Sequence, residues 1–177
     1  MHAVSFFKTV VATAGTPVNL GVSTVNGALA AGATSLTITS AAPFSPDMLP
    51  FILTLDTSAN QEKVQVTAIS STAFTISPCT LAHLTGVSAR ADDFHIAGFT
   101  ASANIANVGS AYLGTRGMAT GGAAGTIKRF AVTASGAVDD SFEKMLNADS
   151  GDPGSLTEFK VDVATGGDSL NFVAWVR

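Results

Sequence analysis

The chemistry-bearing residues of this chain are few, and their spacing limits what they can do. Cys79 and His83 stand four residues apart, a separation that would put two metal ligands on one face of a helix. The segment reads as strand or loop, and no second ligand pair accompanies it, so the expectation is a small semi-buried cysteine and no metal site. His2 and His95 are far in sequence from any nucleophile and read as structural or surface side chains. Acids occur in pairs at Asp92-Asp93, Asp139-Asp140 and Asp149/Asp152. Adjacent acids on a strand point to opposite faces, which makes them poor acid/base partners, and Asp149-Ser150-Gly151-Asp152 lacks the ligand density of a calcium loop. No serine sits in the Gly-x-Ser-x-Gly setting of a nucleophile elbow. In Gly121-Gly122-Ala123-Ala124-Gly125-Thr126, threonine stands where a phosphate-binding loop needs lysine, and Lys128 follows too late. The expectation is a protein that is not an enzyme, with no catalytic, cofactor-binding or metal-ligating residues and no cofactor.

Composition says which elements must place these residues. Charged residues are 12% of the 177, where roughly a quarter is typical, while apolar types reach 46% and mean hydropathy is +0.38. That excludes a disordered, highly solvated chain. Most of the apolar excess is alanine and glycine, joined by threonine and serine, a mixture suited to short strands and tight turns. Nine basic against 13 acidic residues give a net charge of −4, which offers no counterion-release footing for nucleic acid. A single cysteine cannot form an internal disulfide, so the chain is compatible with assembly in a reducing cytosol. The opening residues resemble a signal peptide only faintly, because Lys8 interrupts the apolar run and no basic segment precedes it; they read better as a strand. No stretch has the roughly 18 uninterrupted apolar residues of a membrane span, so no membrane partner is expected.

Periodicity then orders the strands. Ser5 to Ala14 reads as a strand stopped at Gly15-Thr16-Pro17, and Val18 to Val22 begins another. Asn26-Gly27 is a turn signal. Thr34 to Ser40, Phe51 to Leu55, Glu62 to Ile69 and Phe74 to Ser77 follow at spacings too tight for crossover helices, which predicts an antiparallel meander. In the third of these, Val64, Val66 and Ala68 alternate against Lys63, Gln65 and Thr67. A second set runs through Phe94 to Ala103, Tyr112 to Gly114 and Ile127 to Ala134. The five glycines from Gly114 to Gly125 predict a mobile surface loop. Asp139 to Asn147 is the one helical pattern, with Phe142, Met145 and Leu146 three and four apart and acids near its start. Leu156 to Val163 and Ser169 to Val176 close the chain as two strong strands joined at Thr165-Gly166-Gly167-Asp168.

Two sets of these residues resemble known phage proteins. Ala31 to Thr39, Pro43-Phe44, Pro50 to Leu55, Glu62 to Ile69, Phe74 to Ile76 and Ala82-His83 resemble a small β-module of tailed-bacteriophage virion proteins. There a "GATSLTV" strand leads to a proline-phenylalanine corner, then to "E-x-V-x-V", a hairpin and a closing Ala-His. Ser77-Pro78-Cys79-Thr80 departs from the arginine and glycine usual at that point. The flanks, Lys8 to Leu20, Phe94 to Ala101, Asn107 to Gly114 and the final strand pair, are similar to phage jelly-roll-like domains.

The resemblance implies an all-β fold, an antiparallel jelly-roll-like sandwich with an inserted β-meander module and one short helix at most. The sandwich is expected from 1–26 plus 94–177 and the insert from 27–93. It further implies a capsid decoration or cement protein on the outside of a phage head, assembled in the host cytoplasm. Its partners would be the major capsid protein and itself, as a homotrimer. Phe6 and Phe7, adjacent on one strand, are the expected contact residues, since one of them must face outward. A tail, baseplate or fibre component is the alternative, and a secreted carbohydrate-binding or adhesin module the next, although only one Trp and one Tyr are available for sugar stacking.

Overall fold

The computed structural model describes residues 2–131, 141–146 and 154–176, and for residues 2, 6–8 and 10 the backbone alone. The chain divides into two compact units, one from Met1–Leu20 with His95–Arg177 and the other from Gly21–Phe94. Every strand pair in both is antiparallel.

The discontinuous unit holds two four-stranded sheets. In the first, β1 (His2–Val10), β14 (Ser169–Val176), β9 (Ile96–Ala103) and β12 (Phe142–Met145) lie in that order. In the second the order is β11 (Thr126–Phe130), β10 (Ala111–Thr115), β13 (Phe159–Val163) and β2 (Val18–Asn19). Alternation makes them a sandwich. Along β14 the side chains of Leu170, Phe172, Ala174 and Val176 are buried, while Asn171, Val173 and Trp175 are half-buried on the other face. Phe159 of the second sheet meets Phe99 edge-on at 5.2 Å and lies 5.5 Å from Phe172, and Phe99 stacks on Phe172 at 5.2 Å. This triad, fully buried, joins the two inner faces.

β12 corrects the helix expected over Asp139–Asn147. Its described part, Phe142–Met145, is a strand in register with β9 from Phe142↔Ala101 to Met145↔Gly98. A single stretch of that length is a marginal helix on its own. The free edge of β9 offers ladder partners for its backbone, and Phe142 gains a ring contact with Phe99 at 6.0 Å. Asp139, Asp140 and Asn147 lie outside the described residues.

The continuous unit is a six-stranded sheet in the order β3 (Val22–Thr24), β8 (Ser88–Arg90), β5 (Phe51–Leu55), β6 (Glu62–Ser70), β7 (Ala73–Ile76) and β4 (Ser35–Thr37). The sheet curls until its outer strands meet. Val25 bridges Ile38, Asn26 N–H donates to Thr37 at 2.8 Å, and Thr39 N–H donates to Thr24 at 2.9 Å. Leu36, Ile38, Leu53, Leu55, Val64, Val66 and Phe74 fill the interior, with Phe44 edge-on to Phe74 at 5.2 Å. The unit begins at Gly21 rather than at residue 27, because β3 pairs with β8 and so belongs to the same sheet. Within β6 the alternation holds at Val64 and Val66 and then breaks: a register shift before Ala68 leaves that residue exposed.

Candidate functional site

Among the described residues, the strongest convergence of polar side chains is in the curled unit, where Asp56, Glu62, Cys79 and His83 come together. Asp56 and Glu62 flank the loop between β5 and β6, Asp56 directly after Leu55 in a left-handed conformation (φ 61°) that aspartate tolerates. Glu62 opens β6. By the period of two it shares the inward face of Val64 and Val66, so a carboxylate is turned toward the interior and must find partners.

Those partners come from the chain after β7. Backbone bonds between His83 and Leu29, 2.8 Å in each direction, and from Gly32 N–H to the Cys79 carbonyl at 2.7 Å pin this segment. Glu62 Oε1 accepts the Thr80 N–H and, at 2.9 Å, the Thr80 hydroxyl. Oε2 accepts the Leu81 N–H at 3.0 Å and faces His83 Nε2 at 3.1 Å. Burial pushes the Glu62 carboxyl up, but these hydrogen bonds together outweigh it and hold the group at about 2. Glu62 is therefore ionised at neutral pH, and His83 Nε2 carries the proton it donates. The imidazole is completely buried. Its Nδ1 has no hydrogen-bond partner, and Asp56 Oδ2 lies beyond hydrogen-bond reach at 3.6 Å. Donor atoms of Glu62, Cys79 and His83 lie within 4.8 Å of one another. Burial, and after it the charge of Glu62, push the Cys79 thiol up.

Sequence spacing alone did not bring these residues together, since it paired Cys79 with His83 and found no further ligand. The overlooked signal is parity, which places Glu62 on the core side of its own strand.

In the sandwich unit, a second feature escaped the sequence reading. The β9–β10 connection holds Ile105 and Val108 out to solvent, 83% and 77% exposed. It is clamped by the loop before β14. Asp168 Oδ1 accepts the Val108 N–H at 3.0 Å and Oδ2 the Gly109 N–H at 2.7 Å. The Asn107 amide donates to the Ser169 carbonyl at 2.8 Å and accepts from the Ser169 N–H at 2.9 Å. Asn107, Asp168 and Ser169 are all buried. Gly109 is needed for this closeness, because a Cβ there would come within 2.5 Å of the Thr165 hydroxyl.

No family model, curated protein or solved structure matches the chain.

The remaining expected sites are dispersed. Phe6 and Phe7 lie on β1, an edge strand of its sheet, with Phe6 in register with Phe172; their side chains are outside the described part. One extra residue lies on β1 between Phe6 and Thr9, and among the described side chains of the strand Val4 and Thr9 are buried. Asp92 accepts from Arg90 Nε at 2.8 Å and Asp93 pairs with Lys63 at 2.6 Å. His95 is exposed, and Asp149 and Asp152 lie outside the described residues. The glycine-rich segment expected to be a mobile loop is folded on itself. Met118 is buried, Ala119 N–H donates to Ala124 at 2.9 Å, and buried Asp162 accepts the Gly121 N–H at 2.7 Å.

Proposed function

We propose that this chain is a non-enzymatic structural protein of a tailed-phage virion, a decoration or cement protein that binds the outside of the head and bridges major capsid subunits as a homotrimer. The observation that carries this reading is the clamped β9–β10 connection. Val108 projects from backbone that buried Asp168 and Asn107 hold in place, and Ile105 projects from the adjoining turn, where Asn104 accepts the Ala106 and Asn107 N–H groups. Rigid apolar anchors of this kind lose little entropy when they enter a pocket on another protein. The edge position of β1 supports the same reading, since a strand edge can extend a neighbouring sheet. So does the sparse charge, because a surface destined for burial avoids the cost of desolvating ions. The resemblance of Glu62 to Ile69, Ala82-His83 and Asn107 to Gly114 to phage virion modules supplies the particle.

Imaging of the purified phage particle, with the chain counted by quantitative mass spectrometry, tests the proposal. Hundreds of copies on the outer shell are expected. A few or tens of copies at the tail would replace it with the tail or baseplate reading. A stable monomer that leaves heads bare would remove it.

A further inference from the structure

We propose that Glu62, Cys79 and His83 bind a divalent d-block cation, zinc above all, with Asp56 supporting the imidazole from behind. The donor set of one thiolate, one imidazole and one carboxylate is that of zinc sites and is foreign to the all-oxygen shells of calcium and magnesium. In the metal-free protein a proton occupies the line between His83 Nε2 and Glu62 Oε2, which are 3.1 Å apart. A cation about 2.0–2.1 Å from both would subtend an angle of about 100°, close to tetrahedral. The metal would therefore take the place of that shared proton once the imidazole turns to aim Nε2 at it, and the buried Cys79 sulfur, drawn in with it, would complete the protein ligands. The thiol proton leaves to solvent, and the single ring proton passes from Nε2 to Nδ1, so one proton is released for each cation bound. The fourth position falls to water, which reaches the partly exposed carboxylate edges of Glu62 and Asp56.

The buried Nδ1 atom is the independent observation. With the proton on Nε2, Nδ1 is an unsatisfied polar atom on a completely buried ring. Metal on Nε2 moves the ring proton to Nδ1, where Asp56 Oδ2 stands 3.6 Å away and needs to approach by only a few tenths of an ångström to accept it. Carboxylate, imidazole and metal in line is how zinc-binding histidines are usually held. The arrangement thus explains an atom that the metal-free hydrogen-bond network leaves over.

Cobalt(II) titration of the chelator-treated full-length protein tests this. Cys79 is the single cysteine, so a near-ultraviolet thiolate-to-cobalt charge-transfer band reports that sulfur and no other. The expected result is that band together with intense visible bands of tetrahedral cobalt, both abolished by an equivalent of zinc. Cys79→Ala should lose the charge-transfer band while keeping the circular dichroism of the parent. Asp56→Asn should keep the spectrum and weaken affinity by about 10–100-fold. Absence of the charge-transfer band in the parent at millimolar cobalt would overturn the site, a result that depends on no variant folding. Unchanged affinity in Asp56→Asn would overturn the role given to that residue.

Discussion

The Glu62 carboxylate and the His83 imidazole, 21 residues apart in sequence, meet at 3.1 Å and tie the start of β6 to the segment that follows β7. Two backbone N–H groups and a hydroxyl from Thr80 and Leu81 converge on the same carboxylate. Its ordinary value is 4.5 and its value in the folded chain about 2. Between these limits the unfolded chain takes up a proton that the folded chain refuses. The stabilisation is therefore complete above pH 4.5 and is lost as pH falls toward 2. Allowing for screening at its exposed edge, this is on the order of 1–2 kcal/mol. Hydrogen exchange at the Thr80 and Leu81 amides should accelerate over that window, after correction for the intrinsic pH dependence, and Glu62→Gln should flatten the profile. A Glu62→Gln protein with the parent's acid profile would contradict the assignment.

Phe172 tests the sandwich separately. Phe172→Ala removes the ring that stacks on Phe99 and reaches Phe159, which should cost about 3–5 kcal/mol. The single tryptophan, Trp175, sits on the same strand. Denaturant unfolding followed by tryptophan fluorescence therefore reports this unit and is blind to Gly21–Phe94, which contains neither Trp nor Tyr. A midpoint shift confined to that signal is expected, with amide protection of Val64 and Val66 unchanged.

How much of this was legible in the sequence depends on the range of the interactions. Leu170, Phe172, Ala174 and Val176 declare their face because period-two alternation over eight residues is a local signal. β12 does not, since Phe142, Met145 and Leu146 satisfy a helical spacing over too few residues to outvote the open edge of β9. β3 and β8 are three residues each, too short to show a period, and only their mutual pairing makes them strands. The Glu62–His83 contact is legible by half. Parity turns Glu62 inward, but which residue meets it is decided by the closure of the sheet. The β9–β10 clamp needs Asp168, which approaches from 60 residues away, and no spacing rule connects the two.

Ile105 and Val108 separate stability from binding. Both are largely exposed, so Ile105→Ser with Val108→Ser should leave unfolding within about 0.5 kcal/mol of the parent. On the proposed function the same pair of substitutions should strip the protein from capsids in a pull-down of purified heads. Retained head binding would move the contact surface elsewhere. A large loss of stability would show that the two side chains are packed against something in the free protein.

Asp168 holds the backbone that carries one of these two side chains, Val108. Its two oxygens each take one backbone N–H, from Val108 and Gly109, so Asp168→Ala leaves two donors without their acceptor in a part-buried setting. Each orphaned donor costs about 1–3 kcal/mol unless water reaches it, and the partial exposure here favours the low end, about 2–4 kcal/mol for the pair. Because the clamp holds the backbone of Val108, on the proposed function the variant should bind heads more weakly than its stability loss explains, with faster exchange at the Val108 and Gly109 amides under native conditions. Asn107→Ala removes two further bonds, both to Ser169. The two substitutions share one network, so their effects should be less than additive when combined. Strict additivity in a double-mutant cycle would mean that Asp168 and Asn107 hold the connection independently, and that the loop is not the single rigid body its hydrogen bonds describe.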